Sequence, residues 1–218
     1  MITRRRIFLT IIFLAIVLVF LFVRRGRHND LRSSAIENDW SVLSIREDIA
    51  GKETVILGAG TFVAGVDIPP GRYIATTENG FGSFVVYERG TRLPEISEVL
   101  GYFAEPAYVP SVALTLVKDQ EIKITRLAEV IFTPLKTEFK TELTTGIWEV
   151  GLDIKPGTYT ISSKDGRGGS FNLFEGDKPV ARMELGKNRA NSKASGTVTL
   201  INGQTIRISA IPIVLFEE

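Results

Sequence analysis

The residues of this chain best suited to chemistry by type and spacing are carboxylates. Asp67 and Asp153 recur in one local setting, Gly-x-Asp-Ile-x-Pro-Gly-x-Tyr. Two carboxylates flanking a bond can work as general acid and base in glycosidase-type hydrolysis. But the two Asp occupy equivalent places, which argues for one shared task at a turn. There a carboxylate accepts hydrogen bonds from backbone N–H groups. No other carboxylate pair stands out. The chain has no Cys and a single His, His28. Thiolate nucleophiles, zinc-thiolate sites and Ser/His or Cys/His pairs therefore drop out. The expectation is a protein that is not an enzyme and holds no metal or cofactor.

Two glycine-rich stretches imitate phosphate sites. Gly58-Ala-Gly60 follows an apolar run, as a dinucleotide fingerprint would, but Val63 stands at the third glycine position and a Pro-Pro-Gly stretch replaces the helix. Asp165-Gly-Arg-Gly-Gly-Ser170 leads into strand-like residues, not into a helix N-terminus. It reads as a flexible hairpin loop.

Binding chemistry sits in two loops. One carries Tyr102, Phe103 and Tyr108; the other carries Lys187, Arg189 and Lys193. Exposed aromatic rings can stack on a sugar or seat a peptide, and the cations can meet an anionic envelope polymer or an acidic partner. The plain alternatives are that the aromatics plug the end of a β-sandwich and that the cations are simply solvated.

The elements that must position these loops come from an internal repeat. Gly60-Thr-Phe-Val-Ala-Gly-Val-Asp-Ile-Pro-Pro-Gly-Arg-Tyr73 returns as Gly146-Ile-Trp-Glu-Val-Gly-Leu-Asp-Ile-Lys-Pro-Gly-Thr-Tyr159, at an offset of 86. Apolar residues alternate at period two through Phe62, Ala64 and Val66, and through Trp148, Val150 and Leu152, which is strand patterning. Asp67, Pro70 and Gly71, with Asp153, Pro156 and Gly157, predict a tight turn between strands. Further on, Thr115–Ile124 matches Thr199–Ile208, and Asn202-Gly203 predicts a type I′ hairpin there. In the first copy Asp119-Gln120 stands in its place. Many short strands with close turn signals predict an all-β fold. The expected architecture is two tandem β-sandwich or barrel-like repeats, residues 54–135 and 136–218, behind an N-terminal transmembrane helix.

That helix is residues 7–23, an apolar run interrupted only by Thr10. It would span about 25 Å, against a hydrocarbon core of roughly 30 Å, with flanking arginines snorkelling at both ends. Arg24-Arg-Gly-Arg27 follows it where a cleavable signal peptide needs small residues, so the segment reads as an uncleaved anchor in membrane lipid. Residues 1–6 form a tail, and 24–53 a linker with a short helix over 35–50. Three arginines on each side nearly balance the positive-inside rule. A lone N-terminal anchor places the C-terminal repeats outside the cell.

The net charge of +1 hides an asymmetry. The first 28 residues hold six Arg and no acid, leaving 20 Lys+Arg against 25 Asp+Glu, a net of −5. A mildly acidic body with no basic stripe disfavours nucleic acid.

The pattern Gly-x-(Trp/Phe)-x-x-Gly-x-Asp-Ile-x-Pro-Gly-x-Tyr with a late Leu-x-x-Gly-x-x-Ile-x-Ile resembles small β-rich modules of uncharacterised membrane-anchored surface proteins of Gram-positive bacteria. The resemblance covers roughly residues 60–133 and 146–216. It implies a bacterial, extracytoplasmic setting and carries over no catalytic residue. The expected function is binding or scaffolding at the cell envelope. The alternative is a non-catalytic subunit of a membrane-bound secretion or cell-wall assembly.

Overall fold

A computed structural model describes residues 53–102, 107–187 and 191–218. The anchor at 7–23, the linker helix at 35–50, Phe103 and Arg189 lie outside them. The described residues are all-β, contain no helix, and form two sheets.

The strands are β1 (Val55–Leu57), β2 (Gly60–Val63), β3 (Gly71–Thr76), β4 (Phe81–Tyr87), β5 (Pro94–Gly101), β6 (Ser111–Leu116), β7 (Glu121–Thr125) and β8 (Val130–Pro134). They continue with β9 (Glu142–Glu149), β10 (Gly157–Ser163), β11 (Gly169–Glu175), β12 (Lys178–Leu185), β13 (Ser195–Leu200) and β14 (Thr205–Glu217). Ten of them form one sheet along the path β1-β8-β3-β6-β9-β14-β10-β13, with β11 on β14 and β12 on β11. The remaining four are ordered β2-β7-β4-β5.

The register is the same on either side of residue 135. Tyr73 pairs with Leu114, and Tyr159 with Val198. Phe62 pairs with Ile122, and Trp148 with Ile206. Even a β-bulge recurs, between Val86 and Tyr87 and between Leu173 and Phe174. Each stretch has its own core. Tyr73 meets Phe132 edge-on at 6.1 Å in the first, and Tyr159 meets Phe216 edge-on at 5.8 Å in the second. Both tyrosines are buried, and each hydroxyl donates to a carbonyl four residues back, Pro69 or Lys155.

Several local expectations change. The tight turn lies ahead of the Pro-Gly dipeptides: Gly65 and Gly151 take φ of 89° and 95°, and Val66 N and Leu152 N donate to Val63 O and Glu149 O. Pro70 and Pro156 sit at bends, and Gly71 and Gly157 open β3 and β10. Pro fixes its own φ in the extended approach as readily as in a turn, so the dipeptide alone does not choose.

Asn202-Gly203 is not a hairpin, because β13 and β14 do not pair with each other. Positive φ falls on Gly203 (82°) alone, and Asp119 takes the same conformation (70°) at the corresponding corner. Gln204 and Gln120 close these corners by accepting from Ile201 N and Val117 N, both at 2.9 Å. Likewise residues 164–168 join β10 to β11, which are not paired, and Gly169 and Ser170 already belong to β11. β14 runs unbroken over Thr205–Glu217, but its register on β9 shifts around Ala210, which takes φ 60°.

Candidate functional site

Two places bring charged or aromatic groups together: the joint between residues 54–134 and 142–217, and one end where loops meet.

At the joint, β6 and β9 run parallel and touch at Ala113 and Gly146. A Cβ on Gly146 would lie 2.0 Å from Ala113 O, so glycine is required there. Beside this contact Arg72 Nη2 donates to both carboxylate oxygens of Asp153 at 2.7 Å, and Arg72 Nη1 donates to Thr137 Oγ1. The pair is nearly fully covered. Asp153 Oδ2 also accepts from Glu149 N at 2.9 Å. Asp67 makes the matching bond, from Val63 N to its Oδ2 at 2.7 Å, but remains exposed. Asp153 thus closes its turn and anchors a neighbour, whereas Asp67, among the described residues, only closes its turn.

Next to this pair runs a cleft of about 480 Å³, lined by Arg72, Glu95, Trp148, Glu149, Phe174 and Arg207 among others. An adjoining recess of about 270 Å³ adds Glu98 and Ser209. Arg207 lies over the Phe174 ring at 4.9 Å, with Nη2 3.7 Å from Glu95. Arg207 Nε is buried and has no hydrogen-bond partner among the described residues. Glu98 accepts from Ser209 Oγ at 2.5 Å and from Ala210 N at 3.3 Å. Burial raises the Glu98 carboxyl above its usual range despite these bonds. Burial, and then the charge of Asp153, raise Glu149, against an opposing pull from Arg72.

At the loop end, Phe81 stacks on Tyr108, with ring centroids 4.4 Å apart. Tyr102 N donates to Gly80 O, and the Tyr102 side chain is 57% exposed. Arg167 Nη1 reaches across to donate to Tyr108 O at 2.9 Å. Gly166 O accepts from Lys187 N, also at 2.9 Å, and Lys187 is exposed. Lys193 is exposed too, its backbone bridged to Leu185 and bonded to Gly186 N. The 165–167 turn therefore ties the aromatic loop to the basic one. Burial works against ionising Asp165, but its bonds to Arg167 and Ser163 outweigh this and hold the carboxyl below its usual range.

Sequence reasoning placed Tyr102, Tyr108, Lys187 and Lys193 in loops but not in one neighbourhood. It missed Arg72, Phe81, Arg167 and Arg207. Arg72 had a usable signal: its counterpart in the second copy is Thr158. A charge present in one copy alone marks a contact that only that copy makes.

Among the described residues, no group of His, Asp or Glu is placed to hold a metal ion. No family model, no curated protein and no solved structure matches this chain.

Proposed function

We propose that this chain is a non-catalytic binding protein of the bacterial envelope, held in the membrane by residues 7–23. It carries a duplicated β-sandwich module outside the cell. Its contact surface is the loop end formed by Phe81, Tyr102, Tyr108, Arg167 and Lys187, and its ligand is an anionic envelope glycan.

One observation carries this reading. Arg167 bonds the Tyr108 carbonyl while its neighbour Gly166 bonds Lys187, so the aromatic and basic loops are continuous. Stacked rings offer flat apolar faces that suit the C–H face of a sugar ring. Cations beside them supply charge-assisted contacts to a carboxylate or phosphate. The identical register on either side of residue 135 supports duplication of one module.

The test is calorimetric titration of the full chain in detergent with an oligouronate and with its neutral counterpart. Binding to the charged oligosaccharide alone is expected. It should weaken with salt and fall at least about tenfold in Tyr108→Ala and in Lys187→Glu. Equal binding of the neutral sugar, or unchanged affinity in both variants, would overturn the reading.

A further inference from the structure

The joint shows one outer face of each stretch in use, and comparison with the other stretch shows which faces stay open. In the joint, β3 and β6 contribute Arg72, Ile74 and Ala113; Ala113 belongs to the second core, and Ile74 packs against it. The opposing face is Gly146, Ile147, Leu152 and Asp153, with Ile147 packed on the first core. Joining the two covers Leu152 and Asp153 to 6% and 1% exposure.

The residues 86 positions earlier are Gly60, Thr61, Val66 and Asp67. They have the same backbone arrangement: Gly65 N donates to Ile68 O as Gly151 N does to Ile154 O, and Asp67 takes Val63 N as Asp153 takes Glu149 N. But nothing described covers them. Val66 is 79% exposed, and Thr61 and Asp67 are exposed. Asp67 Oδ1 has no partner among the described residues. β1 and β2 are end strands of their sheets. An open strand edge beside an apolar side chain is a template for association.

We propose that Thr61, Val66 and Asp67 form a docking site for a β-sheet edge of another protein, one that presents an arginine beside small and apolar residues. Asp67 takes the guanidinium through two oxygens as Asp153 takes Arg72, and Val66 is covered as Leu152 is. A second copy of this chain docking head to tail does not fit. Its corresponding free face, on β10 and β13, replaces Arg72, Ile74 and Ala113 with Thr158, Thr160 and Thr197 and keeps Thr115 as Thr199, all four threonines being exposed. A polar outer face of this kind ends a stack of modules. The inference rests on the matched geometry of the two faces and not on the glycan proposed above.

The experiment gives this chain the missing partner face. Thr158→Arg, Thr160→Ile and Thr197→Ala together rebuild on β10 and β13 what β3 and β6 present. The full chain in detergent is followed by sedimentation velocity across protein concentration. The wild type is expected to stay monomeric. The triple variant should associate head to tail into open arrays, as a non-closing heterologous contact does. Adding Asp67→Asn should weaken that association at least about tenfold. A triple variant that melts like the wild type yet remains monomeric overturns the proposal. Association of the wild type that Asp67→Asn abolishes also overturns it, because an arginine would not be needed. Should the triple variant not fold, Thr158→Arg alone, a change at an exposed position, is read by the same criteria.

Discussion

Arg72 and Asp153 lie 81 residues apart in sequence and meet through two hydrogen bonds of 2.7 Å in a nearly fully covered site. Two charges leave water there, and only good geometry compensates for that. Here Arg72 Nη2 donates to both carboxylate oxygens, Nη1 donates to Thr137 Oγ1, and Glu149 N supplies the carboxylate with another donor. The pair fixes which face of the second stretch meets the first.

Removing one partner leaves the other charge buried and unpaired. Arg72→Ala and Asp153→Asn are each expected to lower stability by about 3–5 kcal/mol. Asp67→Asn makes the same chemical change at an exposed turn, where the amide oxygen can still accept from Val63 N. It should cost no more than about 0.5 kcal/mol. Urea denaturation of the three variants checks the contrast. Equal losses for Asp153→Asn and Asp67→Asn would mean that the buried pair holds nothing together.

Gly60, which opens β2, and its counterpart Gly146, which lies within β9, make a second contrast. Gly146 has φ 131°, and a Cβ there would meet Ala113 O at 2.0 Å and Ala113 N at 2.5 Å, both backbone atoms that cannot swing away. A Cβ on Gly60 would meet only the Phe62 ring, at 3.0 Å. Gly146→Ala combines backbone strain with overpacking and is expected to cost about 2–5 kcal/mol. Gly60→Ala asks only that one ring shift and should cost about 1 kcal/mol or less. Thermal unfolding of both variants measures the difference.

The all-β character was legible because Phe62, Ala64, Trp148 and Val150 alternate with other residues, and period-two burial leaves that trace wherever one face meets a core. β5 and β12 were not legible. Pro94-Glu-Ile-Ser-Glu and Lys178-Pro-Val-Ala-Arg-Met-Glu are rich in Pro and charge. Such residues protect an edge strand from mispairing and also disguise it as a loop. The loop surface was half legible. Tyr108 and Lys187 could be named from their types, but Arg167 sits in a glycine-rich turn whose path no local pattern reveals. The groups lining the cleft, Glu95 and Arg207, come from strands far apart in sequence, and only the joint brings them together.

The proposed anchoring by residues 7–23 has a direct test of orientation. Three arginines flank each end of residues 7–23, so charge alone barely decides which side the β-rich part occupies. A lone N-terminal anchor favours the outside. A tag placed after Glu218 should be removed by protease added to intact cells. Protection of the tag until lysis would place the β-rich part in the cytoplasm and rule out an envelope glycan as its ligand.

The pH dependence of stability follows from Glu98 and Glu149. Both carboxyls titrate above their usual range in the folded chain, chiefly because burial disfavours the charged form. Folded protein therefore binds more protons than unfolded protein between the ordinary carboxylate range and the raised folded values. In that window stability falls as pH rises, and above it the penalty is constant. Asp165 has the opposite sign. Its carboxyl is held below the usual range, so its contribution is present at neutral pH and lost as pH falls through the folded value. Glu149 isolates the first effect, since its carboxylate makes no hydrogen bond among the described residues and sits near the charge of Asp153. Glu149→Gln should raise the melting temperature near pH 7 and leave it unchanged near pH 3, where the carboxyl is largely protonated in both states. A variant that melts lower at neutral pH would show that attraction to Arg72 outweighs burial, reversing the sign of the linkage.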